Sequence, residues 1–254
     1  MTIRTVNTNG VAVIEIARPE KKNAITADMY AAMAQALRAA DGDPAVRAVL
    51  VIGQPGIFTS GNDLEDFMQR PPQDGDAPVF QFMRTLSTCA KPVVAAVTGA
   101  AIGIGTTMLL HCDFVYVSDE ARLALPFTSL GLVPEFGSSL LVPLLAGHAK
   151  AAEKLLLGEP FSASEAVDLG IANAVLPAGE VAMHARRIAE RFNTLPPSAV
   201  RETKKLMKRA GAAQLQEAIE AEAAVFRQRL SSPEAREAFS AFFQKRKPDF
   251  AQFS

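Results

Sequence analysis

The stretch KPVVAAVTGAAIGIGTTMLLHCDFVYVSDEARLALPFTSLGLVPEFGSS, Lys91 to Ser139, decides how this chain folds. PVVAAV is short, apolar and bounded by Pro92 and Gly99, which reads as a buried strand. AAIGIG reads as a loop and TTMLLHC as a buried helix. DFVYVS and ARLAL give two more short strands. Strands alternating with helices predict an α/β chain. The 21 residues from Pro92 to Cys112 carry no formal charge and are long enough to span a bilayer. Gly99, Gly103 and Gly105 interrupt them, so strand, loop and helix is the preferred reading. The stretch also holds an isolated charge. Glu135, between Pro134 and Phe136, is the only Asp, Glu, Lys or Arg after Leu123 and before Ala149. An unpaired ionised carboxylate is costly to bury, so Glu135 is either an exposed turn residue or a group kept for chemistry.

VAVIEIA is a strand and RPEKKNAIT leaves it. Thr26 caps a helix through ADMYAAMAQALRAA. VRAVLVIG is a strand, and QPGIFTSGNDLEDF is a loop entering a short helix. RPPQDGDAP is rich in turn residues and reads as mobile, and VFQFMRTLSTC suits a helix. After Gly147 the pattern is mainly helical. A last block starts near Gln214, with Ser232 and Pro233 forming a strong start signal for its final helix. Its amphipathic character predicts that a neighbouring subunit covers its apolar face. The chain divides into a core, 1–195, and a helical C-terminal region, 196–254.

The 254 residues are 49% hydrophobic, enough for a sizeable core, and the net charge of -1 gives no field for nucleic acid or an anionic membrane. Cys89 and Cys112 make no disulfide framework, and His111, His148 and His184 lack metal-ligand spacing with them. No signal peptide or C-terminal address is evident, and a cytoplasmic location is expected. GIGTTM resembles half of a dinucleotide fingerprint, but Met108 stands where the third glycine belongs. No serine lies in a G-x-S-x-G elbow. Lys204, Lys205, Lys208 and Arg209 read as a solvated helix face rather than an anion-binding patch.

FTSGND and AAIGIG each follow a strand and enter a helix, where backbone N–H groups are unpaired. Two such loops converging would hold an anionic oxygen. A carboxylate in apolar surroundings beside them would be a base of raised pKa. That combination suits proton abstraction next to a carbonyl.

With RPEKKNAIT, FTSGNDLEDF, the stretch from Lys91 to Ser139, and LLLGEPFSASEAVDLGIANAVLP, the sequence resembles the crotonase, or enoyl-CoA hydratase/isomerase, superfamily over nearly its whole length. The resemblance implies a crotonase (ClpP-like) spiral of strand-strand-helix turns with a C-terminal helical trimerisation region. It implies an acyl-CoA thioester substrate, no separate cofactor and no metal, and assembly as a homotrimer or dimer of trimers. The family's oxyanion hole maps onto the backbone N–H groups of Ser60 and Ile104. Lys22, Ala24 and the run Ser60, Gly61, Asn62, Asp63 and Leu64 would line the substrate. Thr107 and Phe127 stand where hydratases of the family carry two glutamates. PFTSLGLVPEFGSS instead resembles the 3,2-trans-enoyl-CoA isomerase branch, in which one glutamate follows a proline. Glu135 matches that glutamate, while Phe136 replaces the glycine after it. The resemblance therefore implies an isomerase of unsaturated fatty acid oxidation with Glu135 as its acid/base. A hydratase, an isomerase of ring-containing acyl-CoA and a non-catalytic acyl-CoA-binding protein are the alternatives.

Overall fold

The computed structural model describes residues 2–253. β1 (Ile3–Thr8) pairs antiparallel with β2 (Val11–Ile16), and the 3-10 turn Pro19–Lys21 leads toward α1 (Ala27–Gly42). The Thr26 hydroxyl accepts from the Met29 N–H at 3.4 Å, the expected cap. Met29, Tyr30, Met33, Leu37 and Ala40 bury one face of α1, at helical spacing.

A repeating pattern follows. β3 (Ala48–Ile52) enters a large sheet and β4 (Ile57–Thr59) a small one, before α2 (Leu64–Gln69) and α3 (Pro78–Thr88). β5 (Val93–Val97) joins the large sheet and β6 (Ala100–Ile102) the small, before α4 (Ile104–Thr107) and a 3-10 turn, Met108–His111. β7 (Phe114–Ser118) and β8 (Arg122–Ala124) repeat the pair, before α5 (Ser138–Ala146), α6 (His148–Ala152) and a π-helical segment, Glu153–Leu157. β9 (Phe161–Ser162), α7 (Ala163–Asp168) and β10 (Ala174–Leu176) close the series. The sheets run β1-β2-β3-β5-β7-β10 and β4-β6-β8-β9, parallel except at β1–β2 and β8–β9. From β3 to β8 each turn of chain adds one strand to each sheet and then helix, the expected spiral. β5 is buried throughout, as its unbroken apolar run requires.

α8 (Val181–Glu190) packs Val181, Ala185 and Ala189 onto one face of the large sheet. α9 (Pro197–Arg209), α10 (Ala212–Leu230) and α11 (Pro233–Phe243) follow, and Ser232 caps α11 at the Ala235 N–H, 3.1 Å away. The 92–112 segment is strand and short helix as expected, and no helix among the described residues is long and apolar enough to cross a membrane.

Two expectations need correction. α9 does not present its basic residues as one solvated face. Lys204 is buried, with Nζ 2.6 Å from Asp113 Oδ2 and 2.7 Å from the Lys91 carbonyl, so it ties α9 to the starts of β5 and β7. The final helices also cover much of their apolar surface on their own chain. Phe226 and Phe239 pack with Leu125, Phe127, Leu132 and Val142, while Val225, Phe242 and Phe243 remain exposed.

Candidate active site

The site begins where the β4–α2 and β6–α4 loops touch. Gly61 has φ +92°, and a Cβ there would stand 2.8 Å from the Ile102 carbonyl oxygen. A Cβ on Gly105 would stand 2.5 Å from Thr59 Cγ2. Side chains at either position would drive the loops apart, so close approach explains both glycines.

Residues 60–63 run beside 22–25 like a short strand pair. The Ser60 N–H donates to the Lys22 carbonyl at 3.1 Å, and the Asp63 N–H to the Ile25 carbonyl at 2.9 Å. The Gly61 N–H donates to Thr59 Oγ1 at 3.1 Å. The Asn62 N–H has no acceptor among the described residues. Ile104 opens α4, and a helix cannot satisfy its own first N–H groups. Ser60, expected as the first oxyanion donor, is thus engaged by backbone pairing, and the available donor lies two residues later, at Asn62.

The loop pairing brings Lys22, Ala24 and Ser60 to Leu64 together. Lys22 is exposed, and the Ala24 carbonyl accepts from Arg18 Nη1 at 2.9 Å. The same guanidinium nitrogen lies 2.6 Å from Asp63 Oδ2. Asp63 also caps α2 through the Glu65 and Asp66 N–H groups, both at 3.1 Å. Asp63 and Arg18 therefore build the loop pair, and Leu64 opens α2 behind it.

Glu135 is buried, not an exposed turn residue: only 7% of its surface is accessible. Burial pushes its pKa up to about 8; the Thr107 hydroxyl opposes the shift and the charge of Glu222 adds to it. Thr107 Oγ1 donates to Glu135 Oε1 at 2.5 Å. Thr107, expected only as the place of a missing acid, is therefore the direct partner of the Glu135 carboxylate. The turn after Glu135 is unusual. Phe136 has φ +59° and Gly137 φ +74°, and the Glu135 carbonyl accepts from the Ser138 N–H at 3.1 Å and hydroxyl at 2.7 Å. A bulky residue with positive φ is held there against its preference. Behind it, His111 Nε2 donates to the Phe136 carbonyl at 2.7 Å, and the two rings stack with centroids 3.7 Å apart. Burial pushes the His111 pKa down to about 3, so the ring is neutral.

Glu135 and Asn62 are the polar members of a narrow recess walled by Phe67, Val79, Phe80, Met83, Ile219 and Phe226 among others. Tyr30 Oη donates to Asn62 Oδ1 at 2.5 Å. Burial first, and the Glu135 charge second, raise the Tyr30 pKa. Phe127 is not among the residues lining the recess and packs in the cluster with Phe226 and Phe239. Phe67 and Val79 continue into a second hollow beneath residues 70–74. An apolar recess with one desolvated carboxylate, beside two loops offering N–H groups, is built for moving protons next to a carbonyl.

Residues 6–253 match the family described as Enoyl-CoA hydratase/isomerase. The chain belongs to that family. It is similar to enoyl-CoA delta isomerase 2 of Rattus norvegicus, 35% identical over 250 residues, which cover 96% of this chain and 64% of the rat protein. This chain therefore spans less than two thirds of that relative's length. Among solved structures, Pseudomonas aeruginosa OdaA is 52% identical, with a TM-score of 0.93 over 95% of this chain and 98% of that one. An enoyl-CoA hydratase from Mycobacterium avium subsp. paratuberculosis is 30% identical, with a TM-score of 0.88 over 98% of each chain. Relatives of this family member thus carry both hydratase and isomerase names, and the choice between the reactions rests on the site.

Proposed function

We propose that this family member is a 3,2-enoyl-CoA isomerase, which moves a carbon–carbon double bond from position 3 to the 2-trans position of an acyl-CoA during unsaturated fatty acid oxidation. The observation that carries the reading is the pairing of one desolvated carboxylate, Glu135, with a hydroxyl, Thr107, in place of a second acid. Glu135 removes a proton from C2 of the substrate. The C2–H electrons become a C1=C2 bond as the carbonyl π electrons move onto the thioester oxygen, which gives a dienolate with C3=C4 still in place. The N–H groups of Asn62 and Ile104 stabilise that oxygen, and one such donor is typically worth about 2.7–4 kcal/mol of barrier. As the charge returns to reform the carbonyl, the C1=C2 electrons become the new C2=C3 bond and the former C3=C4 electrons take the proton from Glu135 at C4. Atoms and charge balance with one carboxyl acting first as base and then as acid.

Hydration asks for more. A water must be oriented while a second group supplies a proton, and the threonine hydroxyl is too weak an acid for that task. The apolar walls add no group to orient the water. Lys22, Ala24 and Ser60 to Leu64 would face the CoA moiety. Assembly as a homotrimer or dimer of trimers belongs to the same reading, and exposed Leu206, Met207, Phe242 and Phe243 offer apolar surface for it.

The test compares kcat/KM for isomerising a 3-enoyl-CoA with kcat/KM for hydrating the 2-enoyl-CoA of the same chain length. Isomerisation should dominate. Hydration as fast as isomerisation would overturn the assignment and make the protein a hydratase.

A further inference from the structure

We propose that Glu222, on α10 in the C-terminal helical region, is a positioning residue that aims Glu135 into the recess and sets the charge beside it. The inference rests on Glu135 being the base. Glu222 lies 87 residues beyond Glu135 in the chain and is buried, with 8% of its surface accessible. Its Oε2 accepts from the Gly137 N–H at 2.5 Å, and its Oε1 from the Ser139 N–H at 2.8 Å. Both donors belong to the turn that carries Glu135 and to the first residues of α5. One carboxylate therefore grips the positive-φ turn from outside, while His111 grips the Phe136 carbonyl from inside.

The turn has reason to need two holds. Phe136 sits in a backbone conformation costing about 1–3 kcal/mol, and such strain persists only where the surroundings over-determine it. If the turn relaxed, the carboxylate preceding it would swing away from the reacting carbons. Displacement of a reacting group by about 1 Å costs roughly 10²-fold in rate. α10 also supplies Ile219, Ala223 and Phe226 to the recess, so the helix that holds the base is the one an acyl chain would touch. The titratable groups around Glu135 are Tyr30 on α1, Glu222 on α10 and, behind Phe136, His111. Tyr30 stays protonated and His111 neutral between pH 5 and pH 9; burial raises the pKa of Glu222, and its charge when ionised raises that of Glu135.

The test uses full-length Glu222→Gln and Glu222→Ala. Gln keeps one acceptor and loses the charge, which guards against a variant that fails to fold. We expect kcat for 3-enoyl-CoA to fall about 10²-fold with KM nearly unchanged. The Glu135 titration should move to lower pH, because a neighbouring negative charge is gone. Carboxyl ¹³C NMR, assigned by the signal lost in Glu135→Gln, follows that titration without turnover. A protein without isomerase activity would sink the proposed reaction, while the NMR titration would still decide the role of Glu222. Near-wild-type kcat with the titration unmoved in folded Glu222→Gln overturns the proposal. A uniform loss of rate at every pH, with the titration unmoved, makes Glu222 merely structural and overturns it too.

Discussion

Glu135→Gln should abolish isomerisation and, less obviously, stabilise the protein in alkali. The gap between about 8 and the ordinary carboxyl pKa of 4.5 measures how strongly the fold favours the neutral acid. At about 1.4 kcal/mol for each tenfold change in proton affinity, it amounts to roughly 4–5 kcal/mol. The sign follows from proton counting. Between pH 4.5 and about 8 the folded chain holds a proton that the unfolded chain has released. Stability therefore falls as pH rises through this window. This contribution is fully present below the unfolded value and lost above the folded one. Gln carries no such proton, so its stability should not follow that curve.

The assay is thermal unfolding of wild type and Glu135→Gln at pH 5 and pH 9. The amide changes packing and hydrogen bonding at both pH values alike, so the difference of the two differences isolates the ionisation. In a chain of this size about 1 kcal/mol moves Tm by roughly 2–4 °C. The gap between variant and wild type should therefore widen by about 10 °C in favour of the variant at pH 9. At the same time isomerisation should fall by about 10²–10⁴-fold, the ordinary worth of a general acid–base. A Tm gap independent of pH would refute the desolvated site. A variant keeping half the wild-type rate would remove Glu135 from the chemistry.

Thr107→Val removes the hydroxyl that favours the ionised carboxylate, so the rising limb of kcat/KM against pH should move to higher pH, with about a ten-fold loss at neutral pH. An unmoved limb would mean that the 2.5 Å hydrogen bond has no hold on the base. Phe136→Gly relieves a positive φ worth about 1–3 kcal/mol but deletes a buried aromatic worth about 3–5 kcal/mol, so urea denaturation should show net destabilisation by about 2 kcal/mol. A more stable glycine variant would show that the ring contributes little to the wall behind Glu135.

Much of the scaffold was legible because it rests on local signals. The unbroken apolar run of β5 and the caps at Thr26 and Ser232 are written in adjacent residues. The charge-free surroundings of Glu135 fitted an exposed turn as well as a buried base, and its burial comes from the fold. β4 and β6 were read as loops because three residues next to glycine are too few to show alternation. β1, with mostly exposed residues at the sheet edge, gave no apolar run, and α5 was hidden by Pro143 within it and the absence of a capping side chain. In the site, local reading found the carboxylate but not its supports. The Arg18–Asp63 pair joins residues 45 positions apart, and Glu222 looks no different along α10 from Glu217 or Glu220. The Ser60 error has the same origin: a loop's free N–H depends on which neighbour it pairs with, and the partner, 22–25, lies far back in the chain.

The isolation of Glu135 is thus manufactured by distant parts of the molecule. A glycine at 136 would take the positive φ without strain, but it would remove a side chain that is 1% exposed, lines the recess and stacks on His111. The phenylalanine makes the turn costlier and the surroundings of the carboxylate drier. A costly turn needs external support, which His111 and Glu222 supply through backbone contacts rather than by bonding the Glu135 carboxylate. That division matters to the chemistry. A donor or cation placed directly on the carboxylate would lower its pKa and weaken it as a base. Support delivered through the Phe136 carbonyl and the Gly137 and Ser139 N–H groups holds the base in place while leaving its proton affinity high. Thr107 is the exception: a neutral hydroxyl on one oxygen leaves the second for substrate.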